Sequence, residues 1–515
     1  MLMILNKYWT KDNLEEALAR IKTPSGVQGS DTYLFKNAIF GRDSLMMAYD
    51  LLPTHKELCG TILHTLARMQ GEKIDLMTGE EPGRIHHEYR ARFFDGYEID
   101  DKQQEILEKL HELWNIGNVT DGKVSDLIIY SSVDATPQFV RVVAAYCGLY
   151  GPEFLNTRVT SIYGTDRTVG DSVLSAMQWL SHRISTSDLD LVEFHRTNPH
   201  AHEWEVLRDG KTSYLHEDGT LANSESLVAS IEVQGLAYDA LLEGSKLIAS
   251  DEADIWKASA QHLRLSTLKN FWIPEHNFFA MAIDRDVNFK TRKVKTLTSA
   301  PMELLDTQFF NHLPHPYKKE ELIGAIVKRA YSSDFLTSVG IRQRALRHYK
   351  LVDYSDYHGS LTSWVVIANI LARGLRRQNL TELAEDIECR FMSGLHKSQE
   401  LYEFFYVSPD GAVDYDNNRV INRPGPGVRI ISGTNVPERT QGWTVSAAIR
   451  VANEMPQPTD IQGWRKDLID SCLREALRHT QPETLTDFYI DIHKGRKDED
   501  EFVRILHTKE KLGHH

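Results

Sequence analysis

The groups in this sequence that could do chemistry are carboxylates set among aromatic side chains. They concentrate in long, glycine-bearing segments that also carry Tyr, Phe, Trp and His, at 25–44, 78–97, 155–170, 193–225, 350–362 and 401–442. Long connections in a compact protein are usually functional or disordered, and this aromatic content is unlike that of disordered chains. Two acids with aromatic platforms are the equipment of glycoside hydrolysis, in which one acid protonates the leaving oxygen and the other assists water or the anomeric carbon.

The motifs of several other enzyme classes are missing. The sequence has no GxxxxGK(S/T) loop, no GxSxG elbow, no HExxH pair and no GxGxxG turn entering a helix. The sequence therefore lacks the motifs of nucleotide-binding proteins, serine esterases and zinc hydrolases. His86, His87 and Glu88 are consecutive, so their side chains diverge and their spacing is not that of a metal site. We expect an enzyme that uses neither a metal nor another cofactor.

Composition excludes further classes. Among 515 residues, 59 Lys and Arg face 73 Asp and Glu, a formal charge of −14, whereas nucleic-acid binding needs the opposite balance. The four cysteines lie far apart without CxxC spacing, which argues against a disulfide framework or a zinc knuckle. The apolar opening MLMIL is shorter than a secretory signal, and no later stretch has the length of a membrane span. We predict a cytoplasmic protein without a nucleic-acid or membrane partner, and the oligomeric state stays open.

Hydrophobic periodicity predicts the elements that position these segments. In 101–114, Ile106, Leu107, Leu110, Leu113 and Trp114 form one apolar stripe on a charged helix, while strand-like alternation is scarce in the chain. A dozen helices with functional loops at one end suit a toroid of inner and outer helices, so we predict an all-α fold. The predicted helices lie near 57–70, 101–115, 135–150, 171–184, 226–249, 252–272, 301–311, 318–332, 361–377, 380–397, 443–454 and 461–479.

A series of segments over about residues 30–450 resembles the amylo-α-1,6-glucosidase part of glycogen-debranching enzymes and their bacterial relatives. These segments occur in the family's order, and that order is more specific than any one of them. They are FGRDSLMMAYDLLP (40–53), GEEPGRIHHEYR (79–90), YSSVDATPQFV (130–140), LRDGKTSYLHEDGTLA (207–222), IEVQGLAYDALL (231–242), FFAMAID (278–284), TLTSAP (296–301), YHGSLTSW (357–364), LYEFFY (401–406) and TQGWTVSAA (440–448).

The resemblance implies an (α/α)6 barrel of the glucoamylase-like, six-hairpin type, and hydrolysis of an α-glucosidic bond with inversion. We expect one domain over 1–515, in which 455–515 supplies closing helices and a charged tail that includes KGRKDEDE (494–501). Family members often carry an additional domain before this one. Because FGRD begins at residue 40, we expect no such domain, and this expectation puts polymeric glycogen in doubt as the substrate.

By this resemblance, Asp209 stands at the family's general-acid position. An acid that is protonated at pH 7 needs a raised pKa, which burial and neighbouring carboxylates can supply. The family's Trp two residues earlier is Leu207 here, and the structural alternative for Asp209 is a turn residue before Gly210. The rival acids are Asp218, which we interpret as a turn residue, and Glu232, a structural or sugar-binding acid at a helix start.

The second carboxylate has two candidates. Glu403 in LYEFFY aligns with the Glu of the family's PELF or PELT motif, where the general base sits, although Tyr402 replaces the Pro. Glu438 in VPERTQGW lies nearer the helix that carries Trp443 and is the alternative base. The structural alternative for each is an exposed loop acid. Inversion predicts that the base and Asp209 have carboxyl groups about 6.5 to 9.5 Å apart.

Arg42 and Asp43 resemble the family's pair that grips hydroxyls of the terminal sugar, with a structural salt bridge as the alternative. His87 and Glu88 occupy the family's HE position, and Asp134 is a hydroxyl acceptor, a helix N-cap or both. Other candidates for the sugar pocket, each also open to a core role, are Phe40, Tyr163, Trp204, Tyr357, His358, Trp364 and Trp443. Three cations that could contact a charged substrate, or simply face solvent, are Lys211, Arg423 and Arg429.

Three functions remain open at this point. The first is hydrolysis of a terminal α-glucosidic bond in an α-glucan, with α-1,6 the linkage that the resemblance favours. The second is exo-hydrolysis of a small α-glucoside, such as an isomaltose, trehalose-like or glucosylglycerate-like compound. The third is a non-catalytic glucan-binding relative. Glucose release from α-linked oligosaccharides, lost in Asp209→Asn, distinguishes the enzymes from the binder.

Overall fold

The computed structural model describes residues 9–352, 356–416, 437–454 and 462–479, and these are rich in helix. A 3-10 helix spans Ala300–Asp306. The α-helices are α1 (Lys11–Ile21), α2 (Gly41–Leu51), α3 (Lys56–Arg68), α4 (Asp101–Trp114), α5 (Ala135–Tyr150), α6 (Val169–Ser185), α7 (Ile231–Leu247), α8 (Ala253–Phe271), α9 (Lys319–Ala330), α10 (Val365–Arg377), α11 (Thr381–Ser398), α12 (Gly442–Asn453) and α13 (Trp464–His479).

The helix-rich prediction is confirmed, with corrections at particular elements. The α-helix predicted over 301–311 is wrong, because a 3-10 helix covers Ala300–Asp306 and turns follow it. Helix α7 begins at Ile231, five residues after the predicted start at 226. The connection predicted over 25–44 is wrong at its end, because α2 begins at Gly41; this helix is buried on almost every side and so lacks an amphipathic stripe. Helix α1 was also missed, although it has a stripe and the Thr10 hydroxyl caps it by accepting from the amide of Asn13.

Six helical segments contact one another in a closed order. Helix α2 contacts α5, α5 contacts α7, and α7 contacts the 3-10 helix; the 3-10 helix contacts α10, α10 contacts α12, and α12 returns to α2. Outer helices pack against them, including α3 on α2, α6 on α5, α8 on α7, α11 on α10 and α1 on α12. This arrangement is consistent with the predicted toroid. We refer to the six segments as the inner ring.

Short antiparallel strands, which periodicity did not predict, connect the helices. The largest sheet has the order β3-β4-β8-β7 and pairs Phe40 with Glu88 and Glu88 with Ile129. Most strands have two to four residues, too few for alternation to be visible in sequence. They are β1 (Lys22–Thr23), β2 (Gly26–Val27), β3 (Ala38–Phe40), β4 (Glu88–Ala91), β5 (Phe93–Phe94), β6 (Tyr97–Glu98), β7 (Asn118–Thr120), β8 (Lys123–Ile129), β9 (Arg158–Thr160), β10 (Asp166–Thr168), β11 (Ala229–Ser230), β12 (Trp272–Ile273), β13 (Phe278–Phe279), β14 (Ala282–Arg285), β15 (Thr291–Val294), β16 (Leu336–Thr337), β17 (Gly340–Ile341), β18 (Thr362–Trp364), β19 (Phe404–Val407) and β20 (Val413–Asp414).

A layer of buried ion pairs crosses the inner ring away from the helix starts. Arg141 on α5 pairs with Asp239 on α7 at 3.2 Å and with Asp306 of the 3-10 helix at 3.1 Å. Arg373 on α10 pairs with the same Asp306 at 2.9 Å and with Asp50 on α2 at 2.5 Å. We call these residues the ion layer. Each carboxylate and guanidinium is paired across helices, which offsets part of the cost of burying their charges.

One extended hydrophobic core joins the inner and outer helices. Two small clusters lie apart from it, one between α4 and β8 and one formed by Ile39, Met69 and Phe94. Cys59, Cys147, Cys389 and Cys472 are all buried and unpaired. Within the described ranges, no helix combines the length and apolar content that crossing a membrane requires.

Candidate active site

Arg42 and Asp43 lie in the first turn of α2, where Gly41 allows an unusually close approach. A Cβ at Gly41 would lie 2.0 Å from the carbonyl oxygen of His86, and the Gly41 amide donates to the carbonyl of His87 at 2.9 Å. The buried Arg42 guanidinium then reaches two carboxylates, Asp134 at 2.7 Å through Nε and Asp209 at 3.5 Å through Nη1. The start of α2 thus brings together residues from three remote segments.

Asp134 directly precedes α5, but its side chain does not cap that helix. Its carboxylate accepts instead from Arg42 Nε and from the Ser132 hydroxyl, the latter at 2.6 Å. The N-cap interpretation is therefore correct for its position and wrong for its hydrogen bonding.

Asp43 is a buried carboxyl that faces other acids. Burial raises its pKa to about 7, the charge of Arg42 opposes this, and Asp209, Asp134 and Glu88 add to the rise. Near neutral pH the Asp43 carboxyl is therefore partly protonated and can donate as well as accept a hydrogen bond.

Asp209 is the more open of the two proposed catalytic acids, with 23% of its side chain exposed. Its Oδ1 lies 3.4 Å from Nε2 of His358. Burial raises its pKa, but the hydrogen bond with His358 and the charges of Arg42 and His202 outweigh burial and hold the pKa below its ordinary value. This direction is opposite to the one expected of a general acid, and the cause is the cationic surroundings.

Glu403, just before β19, is 1% exposed and both of its carboxylate oxygens accept hydrogen bonds. The Tyr357 hydroxyl donates to Oε1 at 2.5 Å, and the backbone amide of Glu438 donates to Oε2 at 3.3 Å. Burial raises its pKa to about 8, with Glu438 and Asp43 adding to the rise and the two hydrogen bonds opposing it. The hydrogen bonds suit an ionised carboxylate, whereas burial favours the neutral acid.

Glu438 is buried, and its side chain is used to hold the 30–34 segment. Its Oε2 accepts from the hydroxyls of Ser30 at 3.0 Å and Thr32 at 2.9 Å, and its Oε1 accepts from the amide of Leu34 at 3.0 Å. Three donors leave little acceptor capacity for a water nucleophile. These contacts favour Glu403 over Glu438 as the base.

The dipeptide Tyr357–His358 connects the two acids. Tyr357 contacts Glu403 and the next side chain, His358, contacts Asp209. The His358 ring stacks on Trp364 at 4.5 Å, and Trp364 stacks in turn on Phe404 at 5.2 Å. This aromatic stack fixes the orientation of the dipeptide.

Three further aromatic or imidazole candidates lie near the same groups. Trp443 lies 5.8 Å from Trp364, and its buried indole Nε1 has no hydrogen-bond partner. Phe40 contacts the edge of His87 at 5.8 Å. Burial, with the charge of Arg42 adding to it, holds the pKa of His87 well below its ordinary value, so His87 is neutral, and its Nδ1 also lacks a partner.

Other candidates are engaged within the protein. Glu88 pairs with Arg90, and Trp204 is buried against Tyr214 at 4.7 Å. Glu232 is buried beside Arg208 at 3.2 Å, which favours its structural role. Asp218 is an exposed turn residue whose carboxylate accepts from the Thr220 amide at 2.9 Å, as interpreted from sequence.

Of the remaining candidates, Tyr163 and Lys211 lie in the described part of the chain, and no contact there joins either of them to Asp209 or Glu403. Tyr163 is 43% exposed, donates to Glu80 at 2.7 Å and lies under the ammonium of Lys73. Lys211 is exposed. Arg423 and Arg429, like the tail segment 494–501, lie outside the described residues.

Sequence reasoning missed four residues at the site. Ser132 donates to Asp134, and His202 lies 5.6 Å from the ring of His87. The fully buried Arg208 anchors the segment before Asp209 to Glu232 and, at 2.6 Å, to Glu303. Burial raises the pKa of Glu303, and the charge of Arg208 opposes that rise. Like Arg42 and Glu232, Glu303 lies in the first turn of an inner-ring helix. This shared position is the feature by which the sequence could have indicated Glu303.

Among the described residues, no three His, Cys, Asp or Glu side chains are arranged to hold a metal ion. The arrangement contains two carboxylates in contrasting surroundings, a buried arginine and further carboxyls beside one of them, and stacked aromatic rings. Such a set can transfer protons to and from a bound polyhydroxylated molecule.

No family model and no curated protein matches this sequence. Solved structures do share the fold. A GH63 mannosylglycerate hydrolase from Thermus thermophilus in complex with Tris and D-glycerate is 12% identical, with a TM-score of 0.54 over 86% of this chain and 100% of that chain. The same enzyme in complex with glucose gives 0.55 over 86% and 99%, also at 12% identity. A glycosidase variant in complex with glucose is 10% identical, with a TM-score of 0.52 over 88% and 97%. This chain therefore has the fold of these glycosidases.

Proposed function

We propose that this protein is a glycoside hydrolase that removes a terminal glucosyl unit from an α-glucoside with inversion at the anomeric carbon. The observation that carries the proposal is the Tyr357–His358 dipeptide, which contacts Glu403 with one side chain and Asp209 with the next. In this proposal the inner ring is that of an (α/α)6 barrel, and the site lies at the end where its helices begin. The shared fold with glycosidases supports the proposal.

Asp209 is the general acid and Glu403 the general base. Asp209 is the more exposed acid and contacts an imidazole that can exchange a proton with it, whereas Glu403 accepts two hydrogen bonds that favour its ionised form. Glu403 would take a proton from a water on one face of the ring while Asp209 protonates the glycosidic oxygen on the other. Their carboxyl groups would then lie about 6.5 to 9.5 Å apart, the span that admits the water.

Arg42, Asp43 and Asp134 hold the terminal glucose. The Arg42 guanidinium is buried and fixed by Asp134, so its remaining N–H donors are preorganised. The partly protonated Asp43 carboxyl can either donate a hydrogen bond to a sugar hydroxyl or accept one from it. Holding the sugar in register converts loose binding into reaction.

The substrate has two candidates. The sequence resemblance to amylo-α-1,6-glucosidases favours an α-1,6-linked glucosyl unit at the end of a glucan. The likeness to a mannosylglycerate hydrolase over the whole of that chain favours a small substrate, such as an isomaltose, trehalose-like or glucosylglycerate-like compound.

The test measures sugar release from a panel of α-linked disaccharides, branched oligosaccharides and glucosylglycerate, with the anomer of the first product followed by NMR. We expect release of β-glucose by the wild type, loss of release in Asp209→Asn and Glu403→Gln, and wild-type rates in the matched control Asp218→Asn. Release of α-glucose would refute inversion. Failure to cleave any α-glucoside, with glucan still retained on an affinity gel, would replace the enzyme with a glucan-binding protein.

A further inference from the structure

His358 is a buried imidazole whose two nitrogens have contrasting surroundings. Its Nε2 faces Asp209 at 3.4 Å, a long hydrogen bond of the kind that tightens when a substrate closes a site. Its Nδ1 is buried without a partner. The ring stacks on Trp364 at 4.5 Å, and its Cδ2 lies so close to Gly210 that a Cβ there would approach it to 2.9 Å.

The geometry makes the ring a proton partner of Asp209. We propose that Asp209 and His358 share the proton that is delivered to the glycosidic oxygen, so that His358 is the positioning residue that holds this proton between the two side chains. This inference rests on the proposed function, since it concerns the acid of that same reaction.

The buried Nδ1 explains why the shared proton is given up readily. When Asp209 carries the proton and donates it to Nε2, the neutral ring must hold its own hydrogen on Nδ1. When the proton lies on the ring, Nδ1 is again a donor. In either case an N–H is buried without an acceptor, and the charges of Arg42 and His202 also oppose protonation of the pair. The pair is thus a stronger proton donor than an isolated buried carboxyl.

The proton transfer balances in atoms and electrons. The proton of the pair passes from Asp209 to the glycosidic oxygen as the bond from that oxygen to the anomeric carbon breaks, and the bonding electrons stay on the oxygen. The water oxygen bonds to the anomeric carbon, and its proton passes to Glu403. After the products leave, Glu403 returns a proton to solvent and the pair takes one up.

Charged and titratable groups of several elements face the pair and set its proton affinity. The cations oppose protonation and the acids favour it. These groups are Arg42, Asp43, His87, His202, Arg208, Asp356 and Tyr357.

The test compares two substrates of the full-length protein, the best α-glucoside of the panel and α-glucosyl fluoride, whose leaving group needs little protonation. In His358→Asn we expect kcat/KM for the α-glucoside to fall by about 10²-fold or more, the usual size of acid assistance, and that for the fluoride to fall by less than about threefold. The ratio of the two values cancels the contribution of Glu403. The fall of this ratio with rising pH should move to higher pH by about one unit or more in the variant, because the hydrogen bond and charge of His358 lower the pKa of Asp209.

Gly210→Ala is the second variant, because its methyl group displaces His358 from Asp209 while both remain. It should lower the ratio in the same direction, and it keeps the inference testable if His358→Asn does not fold. Equal losses on both substrates, or an unmoved ratio, would overturn the role of His358. The proposed function fails differently, by inactivity of the wild type or by full activity of Asp209→Asn.

Discussion

Removal of the Tyr357 hydroxyl tests Glu403 as the base. In Tyr357→Phe the ring keeps its contacts with His358 and Trp364, and the hydrogen bond at 2.5 Å to Glu403 Oε1 is lost. A hydrogen bond to a charged group contributes about 1.5 to 3 kcal/mol, and about 1.36 kcal/mol corresponds to one pKa unit. The bond stabilises the ionised form, so its loss should raise the pKa of Glu403 by about one to two units from about 8.

The assay is the pH dependence of kcat/KM for α-glucosyl fluoride, in which only the base limits the chemistry. A base acts when deprotonated, so the rate should rise with pH and level off above about 8 in the wild type. In Tyr357→Phe the midpoint should move up, and the rate at pH 6 should fall by about 10- to 100-fold. The matched control is Tyr402→Phe, whose hydroxyl donates to the Asp416 carbonyl at 3.1 Å and which should leave the midpoint unchanged. An unmoved or lowered midpoint in Tyr357→Phe would refute Glu403 as the base.

Three further predictions concern neighbouring features. Glu438→Gln should lower the free energy of unfolding by about 1 to 3 kcal/mol in urea titrations, because it weakens three hydrogen bonds to the 30–34 segment. Sugar release should stay within tenfold of wild type. A loss of sugar release as large as that of Glu403→Gln would instead identify Glu438 as the base. Gly41→Ala should destabilise the folded protein by about 1 to 3 kcal/mol or more, since its Cβ would lie 2.0 Å from a carbonyl oxygen. Gly324→Ala is the contrasting variant: its Cβ meets open space in α9, and it should stabilise the folded protein by up to about 1 kcal/mol. Burial raises the pKa of Asp239 from 3.8 to about 6, so the native state binds the extra proton between these values. Stability therefore falls as pH rises through this window, and the advantage of wild type over Asp239→Asn in unfolding titrations should shrink from pH 4 to pH 6; a growing advantage would contradict this.

Amphipathic helices were predictable, and helices buried on every side were not. The stripe of α4 gave its bounds to within one residue, because one face meets solvent. Helix α2 has ten of eleven residues buried, and it carries Arg42 and Asp43. A polar residue inside such a helix breaks the hydrophobic pattern, so the elements that hold the site are those that periodicity detects worst.

The residues of the site were predictable by type and segment, but their electrostatics were not. Asp209 and Glu403 were singled out by resemblance. The direction of each pKa depends on His358, Arg42 and Tyr357, which are remote in sequence and meet only in the fold. The same applies to Glu438, whose hydrogen bonds to the 30–34 segment favour Glu403 as the base.

The ion layer has a consequence for how a long substrate could be handled. Arg141 lies seven residues beyond Asp134 on the same helical segment, a rise of about 10.5 Å, and its side chain and those of Asp50, Asp239 and Asp306 are buried where they cross the ring. A polymer could not be threaded through this interior from one face to the other. Substrate and product would share a single opening, so we expect distributive rather than processive cleavage. Released sugar should compete with incoming substrate for this opening.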